Sequence, residues 1–365
     1  MRASLRPFAL MLVASIAAAA CGTGTGASPA ASVAPSLAPS AEASASPAAS
    51  ASPSAALSGT LTIYAGRSEE LVGPLIEQFE AASGLEVQVN YAGTTDLAAT
   101  ILEEGDASPA DVFFAQDAGA LGAVAAEGRL APLPEATLGL VDERFRSDDG
   151  QWVGVSGRAR VVIYDTRALQ ATDLPTTIDA FTDPAWKGRI GWAPTNASFQ
   201  SFVTAYRVLK GDDAAKAWLE GVQANEPKVY DGNDAVLAAV GAGEIEVGLV
   251  NHYYLMRQLI EQPDFPVANH FLPAGDPGAL VNVAGAGILT TSKNPAAAEA
   301  FIDFLLSSEG QEYFATETSE YPMIDGVSAD AALPPLAEIE SPEIDLSDLA
   351  DLEGTLVLLQ EAGVL

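Results

Sequence analysis

The sequence predicts an α/β fold of two lobes joined by two extended crossings. Three observations point there. Three strand-then-helix units follow one another between residues 60 and 128, which calls for a parallel sheet flanked by helices. A second series of strand and helix signals runs from residue 183 to the helix that starts at Asn251. Long extended stretches around residues 155 and 280 carry the chain between the two units. A ligand cleft is expected between the lobes, at the carboxyl ends of the strands.

Thr60-Leu-Thr-Ile-Tyr64 is a short β-branched strand, and Ala65-Gly66-Arg67-Ser68 turns the chain. Ser68 is placed to cap a helix over residues 69–83, where Leu71, Leu75, Ile76 and Phe79 recur at helical spacing. Pro74 predicts a kink or a later start, and Gly84 the stop. Residues 85–91 alternate as a strand, 94–104 form a helix ended by Gly105, 110–115 a strand, and 118–127 a helix ended by Gly128. Residues 151–164 read as extended chain leaving this unit.

In the second series, residues 183–190 give a turn and strand, and Pro194-Thr-Asn-Ala-Ser198 caps a helix reaching Leu209. Residues 212–223 form another helix, 228–230 a strand, and Asp231-Gly-Asn233 caps a helix over 234–241. Residues 245–250, apolar but for Glu246, read as a buried strand, and an amphipathic helix starts at Asn251. Residues 276–292 return to glycine-rich extended chain, followed by helices over 294–307 and 309–314. The expected boundaries are residues 59–155 with about 282–328 for lobe 1, and about 156–281 with 329–365 for lobe 2 and a C-terminal extension.

The chain has 365 residues, 48% hydrophobic and 18% charged, enough apolar side chain for a sizeable core. With 49 acids against 17 bases, the net charge of −32 argues against nucleic acid, whose phosphates need a basic footprint. It equally disfavours anionic lipid surfaces and favours solubility. Residues 1–20 read as a signal peptide, with Arg2 and Arg6 ahead of an apolar run too short to span as a mature helix. The run ends Ala18-Ala19-Ala20-Cys21-Gly22, small residues before the chain's single cysteine. This resembles a bacterial lipobox and implies lipidation of Cys21 after cleavage. Residues 22–58 are almost wholly Ala, Ser, Pro and Gly, with Glu42 the one charge, and read as a tether. The expected address is extracytoplasmic: a domain held to the cell membrane only through its N-terminal lipid, at the cell surface or in a periplasm. No repeat and no further membrane span is expected.

One stretch stands out as chemistry. Tyr253 and Tyr254 fall on the first turn of the helix that follows the buried strand. Phenolate is a hard oxygen donor suited to a trivalent cation, and a helix N-terminus favours the anionic form. An isolated tyrosine pair more often packs a core. The helix starts at Asn196 and Asn233 offer free backbone N–H groups, which are ready anion sites, although their caps serve structure in any case.

Several segments together decide between these readings. Ile63-Tyr-Ala-Gly66, Pro109-Ala-Asp-Val-Phe113, Ser156-Gly-Arg-Ala-Arg-Val-Val-Ile-Tyr-Asp165, Pro184-Ala-Trp-Lys-Gly-Arg-Ile190, Asn251-His-Tyr-Tyr254, Asp276-Pro-Gly-Ala-Leu280 and Glu320-Tyr-Pro322 resemble the ferric-iron-binding substrate-binding proteins of ABC importers, over about residues 60–330. The resemblance implies a periplasmic-binding-protein or Venus flytrap fold. It implies a monomer that captures ferric iron and hands it to a membrane permease with its ATPase. Tyr253 and Tyr254 match the family's paired phenolate ligands. A synergistic anion, phosphate or carbonate, is implied at Asn196, Ala197, Ser198, Asn233 and Asn251, with Gln116 and Arg158 matching further contact positions. The chain departs from other members in three places. Gly66-Arg67-Ser68 holds no histidine, Gln116 stands where some carry glutamate, and Ser198-Phe199 stands where others carry a third tyrosine. Only two protein ligands therefore carry over.

Other readings follow from the same residues. The importer role could serve an oxyanion, a phosphonate, a polyamine or chelated iron. A hydrolase needs an activated nucleophile or paired carboxylates, and with two isolated histidines no such set stands out, so an extracellular carboxylate enzyme is the weaker alternative. Tyr64, Tyr91, Tyr164, Tyr206, Tyr230, Tyr313 and Tyr321 are expected in the core or on lobe surfaces, with Tyr91 and Tyr230 nearest the cleft. His252 is expected at the surface or supporting the tyrosines.

Overall fold

The computed structural model describes residues 57–339 and 341–365. The signal peptide, Cys21 and the tether up to residue 56 lie outside the described residues. In chain order the first unit contains β1 (Thr60–Ala65), α1 (Glu69–Ser83), β2 (Glu86–Tyr91), α2 (Thr94–Glu104), β3 (Val112–Ala115), α3 (Ala118–Ala126), β4 (Leu130–Ala131) and α4 (Glu135–Leu138). Then come β5 (Val153–Asp165), β6 (Ile190–Trp192), α5 (Ala197–Lys210), α6 (Asp212–Ala224), β7 (Lys228–Val229), α7 (Asn233–Ala242), β8 (Val247–Asn251), α8 (Tyr253–Glu261) and β9 (Val267–His270). The chain closes with β10 (Val281–Leu289), α9 (Pro295–Leu305), α10 (Ser308–Thr316) and α11 (Leu352–Glu361).

Strands β2, β1 and β3 are parallel, as βαβ connections require. The sheet is mixed rather than wholly parallel, because β10 runs antiparallel to β3, β4 and β5. The second sheet places β6 parallel to β7 and β8, with β5 antiparallel to β8 and β9.

Strand β5 belongs to both sheets. Its residues up to Ala159 pair with β10, and from Arg160 onward with β8. The hand-over thus falls between two arginines, Arg158 and Arg160, both buried in a strand that is buried throughout. The segment from β9 to β10 is the second crossing between the sheets. This is the α/β, two-lobed architecture expected from the sequence.

Each sheet carries its own aromatic core. Phe79 meets Phe301 edge-on at 5.2 Å under the first. Against the second, Phe202 lies edge-on to Phe199 and Trp218, and Tyr206 stacks on Trp218. Such pairs add about 0.5–1.5 kcal/mol each beyond their burial.

The structure adds elements with little sequence signal: the two-residue β4, the single-turn α4, β9 and α11. Pro74 sits inside α1 without ending it, and Ser68 precedes α1 with its backbone carbonyl, not its hydroxyl, taking the first helical bonds. In the C-terminal extension, a turn at Leu346–Ala350 packs on α3 and also touches α5. Gly122 of α3 permits this approach, since a Cβ there would meet Ala350 Cβ at 2.9 Å. From that turn, α11 continues onto α5 and α6, burying Leu358 and Leu359. Among the described residues no helix is long and apolar enough to cross a membrane.

Candidate functional site

Strand β8 ends at Asn251, and one residue later α8 begins with Tyr253. The handoff is rigid because the His252 amide donates to Ala159 O of β5 at 3.0 Å. Two phenol rings therefore leave the positive end of a helix in fixed directions. They stack on each other, ring centroids 4.2 Å apart and 27° from parallel, and both are buried.

They line a cavity of about 190 Å³ together with Arg67, Gln116, Asn196, Asp234 and Arg257. Arg67 and Gln116 come from loops at the carboxyl ends of β1 and β3, Asn196 from the start of α5, and Arg257 from α8. Two hydrogen bonds close the cleft nearby. Thr95 Oγ1 donates to Gln200 Oε1 at 3.0 Å, and Ser201 Oγ donates to Asp117 Oδ1 at 2.6 Å. Each joins a residue of the first unit to helix α5.

Electrostatics at the cavity are dominated by burial. It pushes the Tyr253 phenol well above its ordinary value, with Tyr254 adding to the shift and Arg67 opposing it. It raises Tyr254 as well, against hydrogen bonding to Tyr253, with the Asp234 charge adding to the shift and hydrogen bonding to Asn233 opposing it. Burial lowers Arg158 and takes Arg160 down to about 9. It raises Asp117, against the Ser201 hydrogen bond and the Arg158 charge. Unligated phenols in this place are neutral near pH 7, and a cation must displace their protons to bind.

The candidate anion residues divide. Gln116 and Asn196 line the cavity, and Gln116 Nε2 is buried without a partner. Ala197 is the first residue of α5. Ser198 spends both its donors on the Asn196 side chain, amide at 3.0 Å and hydroxyl at 2.6 Å. Asn233 is the first residue of α7 rather than its cap, and its Nδ2 donates to Ser198 Oγ at 3.2 Å. Asn251 is buried at the end of β8, opposite Arg160. Arg158 lies 1% exposed, one nitrogen donating to Val283 O at 3.2 Å and Nε and Nη1 unpartnered. Phe199, at the position of the missing third tyrosine, is buried edge-on against Trp192, with the Arg160 guanidinium over its ring. Tyr91 and Tyr230 do not line the cavity.

His252 is fully buried, not at the surface. Its Nδ1 accepts the Ala159 amide at 3.1 Å, which leaves Nε2–H to donate to Ser319 O at 3.0 Å. Burial lowers its pKa to about 4, so it is a neutral support under the tyrosine helix.

Sequence reasoning missed Arg67 and Glu320 as a pair. Arg67 reaches Glu320 at 2.9 Å across 253 residues of sequence, and sits 5.9 Å from the Tyr253 ring centroid. The available signal was position: a charged residue between the end of the first strand and a helix start, where ligands of open α/β sheets bind. Among the described residues no group of three or more His, Cys, Asp or Glu side chains could hold a metal.

A family model, bacterial extracellular solute-binding protein, matches residues 74–340. The chain belongs to this family. Its relatives are binding proteins rather than enzymes. The major ferric iron-binding protein of Neisseria meningitidis serogroup B is 37% identical over 311 residues, covering 83% of this chain and 93% of that one. The crystal structure of iron-bound HitA from Pseudomonas aeruginosa is similar with a TM-score of 0.80 and 36% identity, over 83% of this chain and 99% of that one. A Trichodesmium protein solved in complex with iron and citrate ligands has a TM-score of 0.72 and 28% identity, over 84% of this chain and all of the other, 100%.

Proposed function

We propose that this solute-binding protein captures ferric iron together with a synergistic anion outside the cytoplasm and delivers it to the permease and ATPase of an ABC importer. The observation that carries the reading is the stacked, buried Tyr253–Tyr254 pair opening onto a small cavity lined by the guanidinium groups of Arg67 and Arg257, the amides of Gln116 and Asn196 and the carboxylate of Asp234. Two phenolates leave a ferric ion one positive charge. The surrounding Arg67, Arg158, Arg160 and Arg257 outnumber the carboxylates of Glu320, Asp117 and Asp234 by one. A doubly charged oxyanion such as carbonate or hydrogen phosphate neutralises that excess and fills iron positions that protein ligands leave open. Arg67, Gln116 and Asn196 are the side chains that would hold it at the cavity wall. Arg158, Ala197, Ser198, Asn233 and Asn251 would act behind them. Lobe 1 then comprises residues 59–155 with about 282–328, and lobe 2 about 156–281 with 329–365. A lipid on Cys21 and the tether would keep the monomer beside its permease.

The free guanidinium nitrogens also favour a second reading, iron carried as a carboxylate chelate, in line with the citrate in the Trichodesmium complex. The test is to load the protein with ferric iron in phosphate, carbonate or citrate and record its visible spectrum. An iron–tyrosinate charge-transfer band is expected, and it disappears in the Tyr253→Phe, Tyr254→Phe double variant. A colourless protein, or a band that survives both substitutions, overturns the assignment. The anion that best supports the band separates the two readings.

A further inference from the structure

Glu320 lies far from the tyrosines in sequence, does not itself line the cavity, and is fully buried. Its carboxylate is saturated by donors from three places. Arg67 Nη2 donates to both oxygens at 2.9 Å, Ser156 Oγ of β5 to Oε2 at 3.0 Å, and Thr318 Oγ1 to the same oxygen at 3.0 Å. Its backbone is fixed as tightly. The Glu320 amide donates to Phe314 O at the end of α10, and Tyr321 exchanges two backbone bonds with Gly157 of β5. Ser319 holds a left-handed φ of 55°, a conformation a serine keeps only when its surroundings impose it. Ser319 O in turn receives the His252 ring.

Arg67 is otherwise thinly held. Its Nη1 is buried without a hydrogen-bond partner, while the residue lines the cavity beside Tyr253. A guanidinium that lines a small cavity and keeps an unspent donor can serve as an oxyanion contact, provided its other edge is fixed. We propose that Glu320 is a positioning residue: it clamps one edge of Arg67 so that the other faces the cavity and holds the anion. This rests on the anion-assisted reading of the site. Glu320 touches neither iron nor anion and acts only through Arg67. The same clamp gives the buried arginine a counter-charge in the empty protein, so the contact is in place before cargo arrives.

The measurement is the phosphate dependence of thermal unfolding in the iron-free protein, which yields an anion affinity without any metal. Glu320→Gln is expected to weaken phosphate binding about tenfold, as for loss of one well-aimed charge-assisted bond. In an Arg67→Met background the same substitution is expected to change phosphate affinity less than about twofold, because the residue it acts through is gone. If Glu320→Gln does not fold, Ser156→Ala, which removes one of the bonds holding the carboxylate, is read in the same way with about a threefold effect expected. Unchanged phosphate affinity in Glu320→Gln, or equal weakening with and without Arg67, overturns the proposal. A missing iron–tyrosinate band with phosphate affinity behaving as described would instead overturn the iron assignment and leave the clamp standing.

Discussion

Replacing Arg67 with methionine isolates the electrostatic cost of the cleft from its chemistry. The arginine and glutamate side chains are 1% and 0% exposed, so water cannot take over for either. In Arg67→Met the Glu320 carboxylate keeps the Ser156 and Thr318 hydroxyls but loses the cation in contact with it, leaving Arg158 at longer range. Leaving a buried charge without its partner costs about 3–5 kcal/mol, and the two remaining hydroxyl bonds put the loss near the lower end, about 3 kcal/mol. Methionine fills much the same length of cavity, so packing contributes little. The double variant Arg67→Met, Glu320→Met removes both charges and should recover most of the loss. The assay is urea unfolding of the iron-free protein, comparing both single variants with the double one. A loss under about 1 kcal/mol in Arg67→Met, or a double variant as unstable as the two singles summed, would refute the claim that this pair is a desolvated unit.

Other outcomes follow from the same geometry. Gly66→Ala should weaken iron uptake and lower stability by about 1–3 kcal/mol, because a Cβ at Gly66 would lie 2.0 Å from Thr94 Oγ1, the hydroxyl that bonds both Gly66 O and the Gln116 amide; calorimetry and iron titration read both effects. Phe199→Tyr should not restore a third iron ligand, since that ring packs edge-on against Trp192; the charge-transfer maximum should stay in place while stability falls by about 1–3 kcal/mol from the buried hydroxyl. Because burial raises both phenols above their ordinary value, both are protonated in the empty protein at neutral pH, and the proposed binding of iron through both should release two protons. Iron affinity should therefore fall as pH falls, about a hundredfold per unit below neutrality at fixed free ferric ion, and a slope nearer tenfold would mean that one phenolate binds.

The strand and helix series was legible because each element carried its own period and punctuation. Helices α1 and α2 begin and end where glycine, serine and apolar spacing place them. Strand β9 was not, because Val-Ala-Asn-His alternates too weakly and its pairing with β5 is set by tertiary contact. The antiparallel course of β10 is likewise a property of topology that its glycine-rich residues do not encode. At the site, the tyrosine pair stood out only in company with the other segments that resemble the ferric-iron-binding proteins; alone, two adjacent phenols at a strand–helix junction read as packing. The division of labour among the polar residues was not legible. Ser198 turns its donors inward to Asn196, and Arg67 pairs with a carboxylate on the far side of the sequence. Neither partnership leaves a local pattern, since both depend on which loops the topology brings together.

The C-terminal residues have a mechanical consequence. They touch α3 beside the first sheet through Leu346–Ala350, and α5 and α6 beside the second through α11. Arg207 of α5 grips this segment at Asp351 and Thr355, and Thr204 meets Thr355 at 2.7 Å. The tail therefore behaves as a ribbon glued firmly to one half of a book and resting on the other half's cover. Any rotation that parts the halves must peel the ribbon from α3 at Gly119 and Gly122, where no side chain intervenes. Amide exchange at Leu349 and Ala350 would then keep time with the opening of a cleft on which neither residue borders.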